Sequence, residues 1–283
     1  MIGVTSLGRR DAPGLALVPG WGMDAGIFLP LAERLSERFH IYLPNLPGHG
    51  ASRPYALSDR PLDTWAEALT EAVPEPVAWL GWSLGGMLAL RIAAHHPQRV
   101  TALILLAATP RFVSGKDWPH GVDPEVLADF RAALAADPAK TLNRFAALQV
   151  RGDLRAGQQL RMLRKHLAAA PPPDARALTD GLRILAEADL RADWAGIRQP
   201  ALAILGAEDR LTTAAGGAAM QRLNPNLHMD VFPKTAHLPF LSQAERLASK
   251  LINFLDFFIE ERYASSGRAE DYSVQVPPSG RSK

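Results

Sequence analysis

The chain has 283 residues, 47% of them hydrophobic, no cysteine and a formal net charge of +2. It is long and apolar enough for a substantial globular core, while the missing cysteines exclude disulfides, thiolate catalysis and cysteine-ligated metal. The small net charge argues against a strongly basic nucleic-acid binder. No apolar run has the length of a membrane span and no secretory signal is visible, so we expect a cytoplasmic protein with no membrane contact.

Short apolar segments alternate with helical patterns along the first 110 residues. Strands are predicted at 14–20, 39–44, 77–80 and 100–107, and helices at 27–38, 62–73 and 87–96. This alternation is typical of an α/β protein whose mostly parallel sheet carries helices on both faces. Ligands of such sheets bind at the carboxyl ends of the strands, where this chain has several glycine-rich turns.

The alternation stops after Pro110 and resumes at Pro200. Helices alone are predicted in between, at 123–136, 138–150, 154–169 and 174–188. Strands at 200–206 and 227–232 and helices at 214–223 and 242–262 follow. We therefore predict a core of residues 1–110 and 194–262, a helical cap of residues 111–193 and a disordered tail at 263–283. The alternative is that the cap helices extend the core.

The segment Gly81-Trp82-Ser83-Leu84-Gly85 fits the pattern Gly-x-Ser-x-Gly between a predicted strand and a predicted helix. A sharp turn there would hold the Ser83 hydroxyl at the end of the sheet, and the glycines would let the two backbones approach. A structural turn without chemistry is the alternative. We predict that Ser83 is a nucleophile.

A serine nucleophile needs a base, and the base needs a group that orients it. His237 follows the last predicted strand and Asp209 follows the strand before it, so the order is Ser83, Asp209, His237. Glu208 is the rival carboxylate, and Asp209 could instead cap a helix. His49 lies in another turn, where stabilising the turn is its expected role. No metal or organic cofactor is expected.

An oxyanion site is the third requirement of this chemistry. It uses the backbone N–H of the residue after the nucleophile and one from the loop after the first core strand, which are Leu84 and Trp21. Trp21 stands between two glycines and is predicted to face the cleft, and Trp82 is predicted to border it. Both rings would suit an apolar acyl group.

Five segments together carry a resemblance to a known family: Pro19–Met23, Leu46–Gly50, Trp79–Gly86, Arg144–Gln149 and Ala236–Phe240. Over about residues 10 to 260 the chain is similar to α/β hydrolases, and it closely resembles the pimeloyl-[acyl carrier protein] methyl ester esterases of biotin synthesis. The resemblance implies an α/β-hydrolase fold with a helical cap inserted after the sixth strand. It also implies a Ser83, Asp209, His237 triad, oxyanion donors at Trp21 and Leu84, and substrate contacts from Phe145, Ala146, Ala147, Leu148 and Gln149. Many relatives begin the oxyanion loop with His-Gly, where this chain has Pro19-Gly20.

Basic residues dominate the stretch from Lys140 to His166, with seven Lys and Arg against one acid, Asp153. A solvated helical face is the usual explanation of such a run. The missing acids favour docking of an acidic acyl carrier protein, with the contacts assigned to Lys140, Arg144, Arg155 and Arg161.

The function predicted from these features is a monomeric serine carboxylesterase that hydrolyses the methyl ester of a carrier-bound pimeloyl group. A promiscuous carboxylesterase or a carbon–carbon bond hydrolase would use the same triad. The third hypothesis is a binding protein with the hydrolase fold and no catalytic activity.

Overall fold

The computed structural model describes residues 1–266, with side chains through Glu260. Its strands are β1 (Val4–Leu7), β2 (Gly14–Val18), β3 (His40–Pro44), β4 (Val77–Trp82), β5 (Val100–Leu106), β6 (Ala201–Gly206) and β7 (Leu227–Phe232). Its α-helices are α1 (Leu29–Leu35), α2 (Pro61–Ala72), α3 (Leu84–His95), α4 (Pro124–Ala136), α5 (Pro138–Gln149), α6 (Ala156–Ala169), α7 (Ala175–Glu187), α8 (Arg191–Gly196), α9 (Ala214–Leu223), α10 (Pro239–Ser242) and α11 (Ala244–Ser266). Two short 3-10 helices, Ala25–Phe28 and Pro97–Arg99, precede α1 and β5.

The strands form one sheet in the order β1-β3-β2-β4-β5-β6-β7. β1 runs antiparallel to β3, whereas every other neighbouring pair is parallel. The carboxyl ends of β2, β4, β5, β6 and β7 therefore meet at one edge of the sheet. The predicted α/β fold with a mostly parallel sheet is confirmed.

The central strands are buried on both faces, which explains their near-continuous apolar sequences. Successive side chains of β4 enter opposite layers: Trp79 belongs to the apolar cluster that includes α3, while Trp82 packs with Phe28 and Phe240 on the other face. The six predicted strands are all present. β1 was not predicted, because it is a four-residue edge strand with largely exposed side chains and no apolar pattern.

Helices α4 to α8 lie between β5 and β6, and the bounds of α4 to α7 agree with the prediction within two residues. This helical segment follows the fifth strand, one strand earlier than the resemblance implied. In the described part of the chain, one antiparallel strand, β1, and four parallel strands, β2 to β5, precede this segment. The division into a core and a cap at residues 111 and 193 stays a prediction.

Of the tail predicted to be disordered, residues 267–283 lie outside the described residues, and residues 263–266 continue α11. Among the helices that the structure describes, none combines the length and the apolar character of a membrane span.

Candidate active site

Ser83 occupies the sharp turn between β4 and α3. Its backbone has φ 55° and ψ −119°, a left-handed conformation that is unfavourable for a residue with a side chain. The Ser83 N–H donates to the carbonyl oxygen of Leu106 on β5 over 3.0 Å, while its own carbonyl accepts from Gly86 over 2.9 Å. Strain of this kind persists only where the surroundings fix the backbone, as they do here at the carboxyl end of the sheet.

The two flanking glycines are required by close backbone contact. A Cβ atom on Gly81 would lie 2.1 Å from the carbonyl oxygen of Gly85. A Cβ on Gly85 would lie 2.3 Å from the carbonyl oxygen of Val18 at the end of β2. The spacing Gly-x-Ser-x-Gly therefore allows α3 to begin directly against the ends of β2 and β4.

His237 follows β7 and is 1% exposed. Its Nδ1 lies 2.7 Å from Oδ2 of Asp209, so Nδ1 carries the proton and donates to the carboxylate. Its Nε2 is buried and has no hydrogen-bond partner within residues 1–266. Since Trp82, the neighbour of Ser83, donates its indole N–H to the His237 carbonyl oxygen over 2.9 Å, the histidine loop is tied to the turn of the nucleophile.

Asp209 follows β6 and its carboxylate is fully hydrogen-bonded. Oδ1 accepts the backbone N–H groups of Leu211 at 2.8 Å and Thr212 at 3.1 Å, and Oδ2 accepts the Thr212 hydroxyl at 2.6 Å. These donors fix the orientation of the carboxylate. The structure brings Asp209 to His237, whereas the rival Glu208 is exposed. The N-cap of α9 is Thr213, so Asp209 does not cap that helix.

The predicted oxyanion donors lie on two sides of the turn. Leu84 is the first residue of α3, where a backbone N–H has no intrahelical acceptor. Among the described residues, no backbone or side-chain group accepts a hydrogen bond from the Trp21 backbone N–H. Both residues are fully buried. The two amides are therefore free of the internal hydrogen bonds that would compete with an oxyanion.

The side chain of Trp21 packs against the helices above the sheet. Its indole N–H donates to the Leu178 carbonyl oxygen over 2.9 Å, and its ring meets Phe145 edge-on at 5.1 Å. A Cβ on Gly181 would lie 2.6 Å from the ring. The Trp21 ring thus connects the oxyanion loop to α5 and α7.

The five residues assigned to substrate contact end helix α5. Phe145 and Ala146 are buried, whereas Ala147 and Leu148 are partly exposed. Gln149 is 1% exposed, and neither atom of its side-chain amide has a hydrogen-bond partner in the described part of the chain. Its carbonyl oxygen accepts the His237 backbone N–H over 3.1 Å, which places Gln149 beside the histidine. An unpaired buried amide costs about 1–3 kcal/mol, so this position suits a polar ligand group.

The basic residues of the α5–α6 region form a surface that we call the basic face: Lys140, Arg144, Arg151, Arg155, Arg161, Arg164 and Lys165. All seven are exposed, and none forms an ion pair with another described residue. Arg144 lies over the ring of Phe130 at 4.9 Å. The exposed charges leave the basic face open to an acidic partner.

His49 takes the role expected from its turn. It is fully buried, and its Nδ1 lies 2.9 Å from the carbonyl oxygen of Pro47. Burial lowers the pKa of His49 to about 4, so the ring is neutral near pH 7.

Two polar side chains of the site were missed from the sequence. Thr212 holds Asp209, and Asp153 holds the loop before His237, accepting the Ala236 N–H over 2.9 Å. Asp153 was noted only as the single acid in a basic run. No local pattern marks it as buried, because an acid among basic residues is equally typical of a solvated surface.

Residues 15–250 match the family described as the alpha/beta hydrolase family. The chain belongs to that family. It is 42% identical over 243 residues, 86% of its length and 93% of the relative, to a pimeloyl-[acyl-carrier protein] methyl ester esterase of Stenotrophomonas maltophilia. A protein of the same description from Nitrosomonas europaea is 41% identical over 84% of this chain and 94% of its own. The resemblance found in the sequence motifs is confirmed.

Solved structures agree on the fold. An esterase from Exiguobacterium antarcticum superposes with a TM-score of 0.81 over 90% of this chain and 95% of its own, at 20% identity. An enol-lactonase from Burkholderia xenovorans LB400 gives a TM-score of 0.75 over 90% and 96%, also at 20% identity. Their different names show that this fold alone does not fix the substrate.

Proposed function

We propose that the protein is a serine carboxylesterase that hydrolyses the methyl ester of pimeloyl-[acyl-carrier protein] to the free acid and methanol, in biotin biosynthesis. The observation that carries the chemistry is His237, whose Nδ1 is bound to Asp209 at 2.7 Å while its Nε2 has no partner among residues 1–266. The substrate is supported by relatives of that description at 41–43% identity over most of the chain.

In the proposed reaction, Nε2 of His237 takes the proton of Ser83 as the serine oxygen attacks the ester carbonyl. The N–H groups of Trp21 and Leu84 receive the negative charge that forms on the carbonyl oxygen. The imidazolium then protonates the departing methanol, which leaves an acyl-enzyme. Water attacks the acyl-enzyme by the same route, and Asp209 keeps the imidazole oriented through both halves.

Like Nε2 of His237, the side-chain amide of Gln149 is buried and lacks a hydrogen-bond partner among the described residues. It ends the run Phe145, Ala146, Ala147, Leu148, Gln149, which is apolar up to that amide. We assign to it a hydrogen bond with the substrate, while the rings of Trp21 and Phe145 provide apolar surface for the acyl chain. Trp82 contributes by holding the His237 loop.

The basic face supports a carrier-bound substrate. Lys140 and Arg144 are exposed on α5, the helix that ends in the assigned substrate contacts, and Arg155 and Arg161 are exposed at the start of α6 and along it. Acidic partners are steered to such a surface at low ionic strength and less strongly at high salt. We therefore assign docking of the acyl carrier protein to the basic face. The monomeric state and the cytoplasmic location stay predictions, and light scattering on the purified protein tests the former.

Hydrolysis of pimeloyl-carrier methyl ester by the wild type and by Ser83→Ala tests the proposed reaction. We expect methanol release from the wild type and none above background from the variant, with unchanged circular dichroism. Turnover in Ser83→Ala would contradict the mechanism. Turnover of p-nitrophenyl acetate together with inertness toward the carrier-bound ester would instead favour a general carboxylesterase.

Charge reversal tests the docking surface. The double variant Arg144→Glu, Arg161→Glu should lower the ratio of kcat/KM for carrier-bound ester to kcat/KM for free ester by about tenfold or more at low salt. The matched control is Arg198→Glu, Arg222→Glu, two exposed arginines outside the α5–α6 region with no ion pair to a described residue. An equal fall of the ratio in the control would contradict docking at the basic face.

A further inference from the structure

The loop that carries His237 is held by a short segment at the end of α5, which we call the 149–155 segment. Gln149 accepts the backbone N–H of His237 at 3.1 Å, and Asp153 accepts the preceding backbone N–H, that of Ala236, at 2.9 Å. The Leu154 N–H donates to the carbonyl oxygen of Lys234 at 3.1 Å. The backbone before and at the histidine is thus bound to this segment in three places.

We propose that Asp153 is a positioning residue for His237. Its side chain is the one carboxylate in these contacts, and Asp153 is only 7% exposed. Oδ2 accepts from Ala236 and from the hydroxyl of Ser242 at 2.8 Å, and Oδ1 accepts the Arg155 N–H at 2.7 Å. The carboxylate therefore joins the loop before the histidine, the helix after it and the start of α6.

The geometry explains why this carboxylate acts on the imidazole. The Ala236 N–H belongs to the peptide immediately before the Ala236–His237 peptide, so holding it restricts the backbone from which the His237 side chain extends. Hydrogen bonds to a charged acceptor are about twice as strong as neutral ones. On the opposite side, the Glu208 N–H donates to the Thr235 carbonyl oxygen at 2.9 Å. The loop is clamped between Asp153 and the turn that carries Asp209.

Burying the Asp153 carboxylate costs free energy, which its hydrogen bonds offset. A carboxylate removed from water is stable only when hydrogen bonds replace its hydration, and Asp153 has three such donors. Its neighbours along the chain, Arg151, Leu154 and Arg155, are all exposed. The segment thus turns the Asp153 carboxylate inward to the His237 loop between exposed neighbours.

The test rests on the proposed function and measures hydrolysis of p-nitrophenyl acetate, which needs no carrier. Rates are normalised to Ser83 titrated to completion with a fluorophosphonate. For Asp153→Ala we expect kcat to fall about 10- to 100-fold with KM within about twofold, because misplacing a catalytic group by about 1 Å costs up to about 100-fold. The rate of Ser83 labelling should fall by a similar factor. Asp153→Asn keeps one acceptor oxygen and should be intermediate.

The control is Asp123→Ala, which removes the N-cap carboxylate of α4 and the same charge without touching the His237 loop. A purely structural role of Asp153 would lower the yield or the melting temperature and leave kcat per titrated serine unchanged. Wild-type kcat in Asp153→Ala, or an equal loss in Asp123→Ala, would overturn the proposal. If Asp153→Ala does not fold, Asp153→Asn decides, and wild-type kcat there would overturn it.

Ser83→Ala is measured alongside and separates the two hypotheses. Turnover in Ser83→Ala refutes the proposed function. An inactive Ser83→Ala together with a fully active Asp153→Ala refutes only the positioning role.

Discussion

The indole N–H of Trp82 donates to the carbonyl oxygen of His237 over 2.9 Å, so the residue before the proposed nucleophile holds the residue proposed as its base. The rings of the two residues lie 5.8 Å apart between centroids. One hydrogen bond thus connects the end of β4 to the loop after β7, across the ends of two intervening strands, β5 and β6.

Trp82→Phe removes this hydrogen bond and keeps most of the ring. We expect kcat for p-nitrophenyl acetate to fall about 2- to 10-fold and stability to fall by about 1 kcal/mol, because the His237 carbonyl oxygen loses a buried partner. Trp79→Phe is the matched control, since its indole donates to the Arg99 carbonyl oxygen from the same strand, away from the histidine. Urea unfolding should show similar losses in both variants. A fall of kcat in Trp79→Phe as large as in Trp82→Phe would contradict the role assigned to this bond.

Asp209→Asn replaces the group that orients the imidazole. Unlike the carboxylate, the amide does not hold the His237 tautomer that carries its proton on Nδ1. The tautomer with the proton on Nε2 is then favoured, and kcat should fall about 1,000- to 10,000-fold with a similar KM. Glu208→Gln, a change at the exposed neighbouring carboxylate, should stay within about threefold of the wild type. Steady-state kinetics of both variants decides between the two carboxylates, and a larger loss in Glu208→Gln would reverse the assignment.

Gly81→Ala should destabilise the protein strongly. The added methyl group would lie 2.1 Å from the Gly85 carbonyl oxygen, a backbone atom that cannot rotate away, and we expect a loss of about 3 kcal/mol or more, or no folded protein. Gly196→Ala is the control, because a Cβ there meets nothing within 4 Å. Chemical denaturation measures both. Equal stability of the two variants would show that the turn is less tight than described.

His49 predicts a dependence of stability on pH. Burial is the main cause that lowers its pKa to about 4, and the Arg53 charge adds to it, while the Pro47 hydrogen bond and the Asp24 and Asp174 carboxylates act in the opposite direction. The folded state therefore binds fewer protons than the unfolded state between pH 4 and about 6.5. The contribution of His49 to the free energy of unfolding is therefore complete above pH 6.5. As the pH falls toward 4, that contribution is lost, by up to about 3 kcal/mol.

Urea unfolding of the wild type and of His49→Gln at pH 5 and pH 7.5 measures this contribution. We expect the wild type to lose more stability at pH 5 than the variant does, because glutamine does not titrate. Identical pH dependence of the two proteins would show that His49 is not the group responsible.

Local patterns were enough to predict much of the fold. The apolar runs of β4, β5 and β6 identify strands buried on both faces, and the turn at Ser83 is marked by glycines that close contact requires. The triad of Ser83, Asp209 and His237 was predicted in the same way, because each residue follows a strand whose carboxyl end lies at the same edge of the sheet. β1 could not be predicted, because an exposed edge strand of four residues has no apolar pattern.

The sequence by itself determined which residue types are available and at which strand ends they stand, since apolar periodicity and glycine spacing are local properties of the chain. Only the tertiary structure decided that Asp209 and not Glu208 meets His237, that Trp82 holds the histidine loop, and that Asp153 turns inward among basic neighbours. These contacts join residues 28 to 155 positions apart. Their geometry depends on how the sheet, the loops and the helices of the α5–α6 region pack together, which no local pattern encodes.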